Sequence, residues 1–138
     1  MAIWLLKSEP GEYSFATLTR DGQTTWTGIR NFQARNNLRA MKAGELALFF
    51  HTGDEKAVVG VAKIAGAAKP DPTAPKGEDW SAVDVAPVQA LAVPVTLATI
   101  KATAALKDMA LVKQGRLSVS PVTKEELAAV LKLGKTKL

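Results

Sequence analysis

The sequence has no cysteine, which removes disulfides, thiolate metal sites and cysteine nucleophiles from consideration and suits a reducing compartment. Histidine is almost as scarce. His51 is the single one, so neither a histidine-rich metal site nor a catalytic arrangement needing two histidines is available. No GxGxxG and no GxxxxGK[ST] run occurs, and so no recognised loop cradles the phosphates of a dinucleotide or nucleoside triphosphate. The expectation is a protein without metal or cofactor. The apolar start, Met1 to Leu6, is closed by Lys7, Ser8, Glu9 and Pro10 long before a signal peptide or membrane span could form. No membrane is expected as a partner, and the expected location is the cytoplasm.

Of the 138 residues, 47% are apolar, enough for one hydrophobic core, and the chain is expected to form a single domain over residues 1–138 and to act as a monomer. Lysine and arginine number 18 against 13 aspartates and glutamates, a net charge of +5. Such a balance favours an anionic partner, although a basic surface also serves solubility alone.

The pattern along the chain predicts strands over Ile3 to Lys7, Gln23 to Trp26, Leu46 to His51 and Val58 to Ile64, the last two forming a hairpin through Gly53-Asp54. A long extended segment runs from Trp80 towards Val95, with Pro87 and Pro94 marking an edge or bulge, and a short strand covers Leu117 to Val119. Helices are predicted from a Ser14 cap through Leu18, over Asn31 to Met41, from Thr96 to about Leu106, and after the capping box Thr123-Lys124-Glu125-Glu126 up to Gly134. Residues 67 to 79 read as loop. Five to six strands without a repeating βαβ unit argue for an α+β fold, a bent or barrel-like mixed sheet wrapped by short helices.

One segment stands apart chemically. From Trp26 to Arg39 the chain combines aromatic rings, amides and the arginines Arg30, Arg35 and Arg39 with no acid. Arginines pair with phosphates, asparagine and glutamine amides read base edges, and an indole stacks on an unstacked base. The same residues also admit a structural reading, in which Trp26 fills the core, Asn31 caps a helix and the arginines form a solvated face. Trp80 is expected in the core. His51 could pair with Glu9 or Asp54 as acid and base, but a hydrogen-bonded structural role at a strand end is the commoner fate. The acidic pairs Asp54-Glu55, Glu78-Asp79 and Glu125-Glu126 suit loops and helix starts rather than a carboxylate dyad.

The blocks Trp4-Leu5-Leu6-Lys7-Ser8-Glu9-Pro10 and Trp26-Thr27-Gly28-Ile29-Arg30-Asn31-Phe32-Gln33-Ala34-Arg35-Asn36 resemble, in order and spacing, the two signature blocks of the EVE-domain family. Phe49-Phe50-His51, Pro70-Asp71-Pro72-Thr73, Trp80 to Val85, and Asp108 to Val112 with Arg116 to Val119 resemble its remaining blocks, so the resemblance covers nearly the whole chain. It implies a PUA-like fold, a bent mixed β-barrel related to the YTH and SRA domains, and a non-catalytic reader of modified DNA bases that flips a base into a pocket. The chain is most similar to short bacterial members, which lack the basic extension of nuclear ones.

Carried over block by block, the base pocket would draw on Lys7, Ser8, Glu9, Trp26, Gly28, Ile29, Asn31, Gln33, His51 and Ser118, with Trp26 stacking on the base. Arg30, Arg35, Asn36, Arg39 and Arg116 would hold the nucleic-acid backbone. The chain departs from the family at Phe32 and Phe50, where tyrosines are frequent, and at Thr27, where an aspartate is frequent. DNA is expected over RNA. An RNA-binding, small-molecule or protein-interaction module on the same fold, and less so an enzyme acting on modified nucleotides, remain as alternatives.

Overall fold

The computed structural model describes residues 1–138. Seven strands and five α-helices alternate irregularly along the chain. They are β1 (Ile3–Ser8), α1 (Phe15–Asp21), β2 (Thr24–Trp26), α2 (Phe32–Ala40), β3 (Leu46–His51), β4 (Ala57–Ile64), β5 (Lys69–Pro70), β6 (Ser81–Thr96), α3 (Leu97–Ala102), α4 (Ala110–Lys113), β7 (Val119–Val122) and α5 (Lys124–Leu133). The sheet runs β2-β6-β4-β3-β1-β7, with β5 added beside β6, and curls into a half-barrel. Only the β1–β3 pair is parallel; the others are antiparallel. The expected α+β architecture, a bent mixed sheet wrapped by short helices, is thus present.

The central strands are buried on both faces, which is why β1 and β3 read as unbroken apolar runs rather than as alternations. Side chains of β1 alternate between two clusters. Trp4 and Leu6 pack with Phe15, Leu18, Trp26, Leu38 and Phe49 under α1 and α2. Ile3 and Leu5 pack with Leu48, Phe50, Val61, Ile100, Leu106 and Val130 under α3 and α5. At the N-terminal edge, the Trp4 indole and the amides of Ala2 and Lys42 all donate to the buried Glu45 carboxylate.

The helix signals act locally as expected. Ser14, Asn31 and Thr96 accept from the amides of Thr17, Ala34 and Thr99, and Thr123 forms a complete capping box with Glu126. Gly22 ends α1 in the left-handed region at φ 78°.

Four details differ from the sequence expectation. The last strand is Val119–Val122 rather than Leu117 to Val119; it lies at the sheet edge and pairs only with β1, so Pro121 fits without breaking a ladder. The helix predicted through Leu106 stops at Ala102, and a separate 3-10 turn follows at Ala104–Leu106, because the Thr103 hydroxyl turns back to the Thr99 carbonyl. The two-residue β5 falls where loop was expected, and the short helix α4 lies where no element was predicted. Pro87 and Pro94, by contrast, sit at the register shifts of the β4–β6 ladder, and these shifts let one 16-residue strand serve as the bend of the half-barrel.

Candidate nucleic-acid interface

Strand β1 ends at Ser8, opposite His51 of β3, and the chain then turns through Pro10 and Gly11. Lys7, Ser8 and Glu9 therefore stand as a ridge at the rim of the half-barrel, with a cleft on each side. The first cleft, about 350 Å³, is walled by Tyr13, Trp26 and Ile29 and rimmed by Thr24, Thr25 and Thr27. The second, about 460 Å³, has Phe50, Leu97, Leu111 and Val112 on its floor and Lys56, Lys101, Arg116 and Ser118 around it.

The ridge side chains are anchored but not used up. Ser8 donates its hydroxyl to the Tyr13 carbonyl. The Lys7 ammonium donates to the Gly115 carbonyl at 2.7 Å, and partial burial holds its pKa below the usual lysine range. Glu9 is exposed and accepts only from the Gly11 amide, at 2.9 Å, which leaves carboxylate lone pairs facing solvent. Its other oxygen occupies the space a side chain on Gly53 would need, and Gly53 is in the left-handed region at φ 74°.

Trp26 is only 8% exposed, its ring locked edge-to-face against Tyr13 and Phe49 at 6.2 and 5.5 Å between centroids. It is a wall of the first cleft. Tyr13, half-buried, offers the more accessible ring.

The arginine segment is committed elsewhere. Gly28, at φ 81°, turns its amide onto Asp71 Oδ2 at 2.8 Å, and Arg30 pairs with the same oxygen at 3.0 Å. Thr73 adds its amide and hydroxyl to Asp71 Oδ1. Burial alone would raise the pKa of Asp71; these hydrogen bonds outweigh it and bring it to about 2. Arg39 pairs with Asp79 at 2.6 Å and with the Ser81 hydroxyl at 2.8 Å, while Arg35 reaches the Asp79 carbonyl at 3.2 Å. Between them Phe32 and Trp80 stack at 5.2 Å and 16°, with the Arg35 and Arg30 guanidiniums against the pair. This set of contacts fastens the loop over residues 71 to 80 onto α2.

Sequence and structure comparisons place this geometry among known proteins. The EVE-domain profile matches residues 2–133. The chain belongs to the EVE-domain family. Human thymocyte nuclear protein 1 is 39% identical over 163 residues, covering 94% of this chain and 72% of that protein. Among solved structures, a protein of Agrobacterium tumefaciens superposes with a TM-score of 0.95 at 40% identity, covering 99% of this chain and 94% of its own. The crystal structure of human THYN1 in complex with DNA containing 5-methylcytosine superposes with a TM-score of 0.90 at 34% identity, covering all of both chains.

In this EVE domain the residues expected in one pocket distribute over several places. Lys7, Ser8, Glu9, Trp26 and Ile29 meet in the first cleft, and Lys7, Ser8, Glu9, Arg116 and Ser118 in the second. Asn31, Gln33 and Arg116 line a shallower depression beside the second cleft, where Asn31 spends its carbonyl oxygen capping α2. Asn36 accepts from Arg35, and Gly28 is the turn that presents its neighbours.

His51 is a correction. It is buried, lines neither cleft, and holds the Phe15 amide at Nε2 (3.0 Å), so Nδ1 carries the proton given to Glu55 at 2.7 Å. No lone pair remains to act as a base on a ligand. Trp80 is a second correction: it lies in the surface stack with Phe32 rather than in the core, because its indole N–H reaches Glu78 and its faces meet cations. Arg30, Arg35 and Arg39, expected along the nucleic-acid backbone, each hold an acid or carbonyl of the loop over residues 71 to 80, which the run of bases without acids in the sequence conceals.

Tyr13, Thr24 and Thr25 escaped the sequence reading, as did Lys56 and Lys101. Tyr13 is the only tyrosine and follows the Pro10-Gly11 turn, a signal that was there to be weighed. The two lysines carry no local signal; the fold alone brings them together.

Proposed function

We propose that this EVE domain reads a modified base in DNA without performing chemistry on it. The observation that carries the reading is the first cleft, a concave space at a strand end with apolar walls on one side and unspent polar groups on the other. Cytosine presents an exocyclic amino donor beside ring and carbonyl acceptors. The exposed Glu9 carboxylate suits the amino group, the Lys7 ammonium suits an acceptor, and at the rim Thr27 offers a hydroxyl and Thr25, whose proton goes to Asp84, an acceptor. Tyr13, Trp26 and Ile29 supply an apolar wall for a methyl substituent.

Removing a base from the duplex costs a few kcal/mol, which contacts on both sides of the ridge must offset. A single buried methyl adds about 0.8 kcal/mol, or roughly fourfold in affinity. The binding of THYN1 to DNA containing 5-methylcytosine supports this ligand class, and the engagement of both His51 nitrogens argues against an acid–base reaction.

The test is the affinity for one short duplex carrying cytosine or 5-methylcytosine at a single position, with the matching RNA as a further arm. Wild type is expected to prefer the methylated DNA several-fold over plain DNA and over RNA, and to leave the nucleosides chemically unchanged after prolonged incubation. Glu9→Gln, an exposed and isosteric change, is expected to weaken methylated-DNA binding about tenfold with folding intact. Equal affinity for both duplexes, or a Glu9→Gln protein that binds like wild type, would overturn the reading.

A further inference from the structure

The arginines that looked most suited to phosphates are already paired within the protein. Arg30 holds Asp71, and Arg35 and Arg39 hold Asp79. Other cations lie free. Lys56, Lys101 and Arg116 form no ion pair and no side-chain hydrogen bond, and all three line the second cleft together with Lys7. They arrive from four separate places: the end of β1, the β3–β4 turn, α3 and the turn between α4 and β7. Lys56 is held in the left-handed region at φ 44°, unusual for a side-chain-bearing residue, while its carbonyl accepts from the Leu97 amide at 2.7 Å. The turn is thereby tied to the start of α3, which also carries Lys101.

The second cleft is also not isolated. It shares Gly115 and Arg116 with the depression lined by Asn31 and Gln33, and it shares Lys56, Leu97 and Lys101 with another lined by Thr96 and Ala98. The three adjoin one another along one side of the ridge. Across the Lys7-Ser8-Glu9 ridge this groove adjoins the first cleft. Four cations face it against two acids, Glu9 on the ridge and Glu55, which is bonded to His51. A compact anion would need one such cation cluster; a long open groove with cations spaced along it suits a polyanion.

We infer that this groove is the track of the phosphodiester backbone of the strand whose base enters the first cleft, with Arg116, Lys56 and Lys101 as phosphate contacts and Arg30, Arg35 and Arg39 as positioning residues for the loop over α2. The inference rests on the base-reading proposal for the identity of the strand, but makes a demand of its own. Each phosphate contact released removes about 0.9 from the slope of log affinity against log salt, whatever base is present.

The experiment is a salt series on the full chain with the same plain and methylated duplexes. The Lys56→Ala/Lys101→Ala double variant is compared with Lys132→Ala/Lys137→Ala, which removes equal charge from the C-terminal region away from the groove. Both pairs are exposed, and circular dichroism checks that each variant folds. The groove variant is expected to lower the slope by about two and to weaken both duplexes equally, and the remote variant to change the slope by far less. An unchanged slope in the groove variant, an equal fall in the remote one, or displacement of DNA by polyglutamate at matched charge would overturn the groove assignment. Lysine-dependent binding blind to methylation would instead sink base reading and leave the groove. Absence of DNA binding would sink both.

Discussion

Asp71 shows how one side chain organises a surface. Its carboxylate is sealed from solvent and collects donors from Gly28, Arg30 and Thr73, so it stays ionised to a pH well below that of an ordinary aspartate. In the unfolded chain it titrates near 3.8, in the native state near 2. Above both values the native form gains about 2 kcal/mol from this difference. As pH falls through 3.8 the unfolded chain takes up the proton first, and the gain is gone below 2. Asp71→Asn is therefore expected to lower the urea midpoint at pH 6 and to approach wild type as pH falls from 4 to 2. A gap that stays constant over that range would show that the carboxylate charge is not what holds the loop. From the sequence Asp71 stood out only as part of the block Pro70-Asp71-Pro72-Thr73; Thr73 is a local partner, but Gly28 and Arg30 lie some 40 positions upstream and only folding places them around it.

Among the elements, the start of α1 depends on a residue with no side chain. Gly60 lies in β4, where a Cβ would come within 2.6 Å of the Phe15 ring. Phe15 in turn gives its amide to His51, and the segment leading into it carries Tyr13, a wall of the first cleft. The ring is buried and has nowhere to move, so Gly60→Ala is expected to destabilise the protein by about 1–3 kcal/mol, measured as a fall in urea midpoint. A loss below about 0.5 kcal/mol would mean that α1 shifts freely on the sheet. The caps and stops of α1, α2 and α5 were legible because each is a contact within a few residues. The strand at Val119–Val122 was misplaced for the opposite reason: Pro121 ends a central strand but not an edge strand, and edge position is a property of the whole sheet.

For the molecule as a whole, the half-barrel has two core clusters separated by one sheet, and β1 and β3 feed side chains to both. Losing either cluster exposes the back of the same strands. Unfolding in urea is therefore expected to be a single transition, with tryptophan fluorescence, which reports the first cluster through Trp4 and Trp26, coinciding with far-ultraviolet circular dichroism, which also reports α5 over the second. Separated midpoints would show that the two faces fold independently.

The absence of cysteine and of phosphate-cradling motifs, the capped helices, the apolar strands and the two signature blocks are all written in neighbouring residues, and these determined the chemistry excluded, the family and most of the elements. Packing decided the rest. Whether an arginine faces a phosphate or an aspartate, whether His51 keeps a lone pair, whether Trp80 is core or surface, and which lysines share a groove depend on residues tens of positions apart. The sequence lists these groups; only the closed sheet sets the distances between them, and distance governs which hydrogen bonds and ion pairs form.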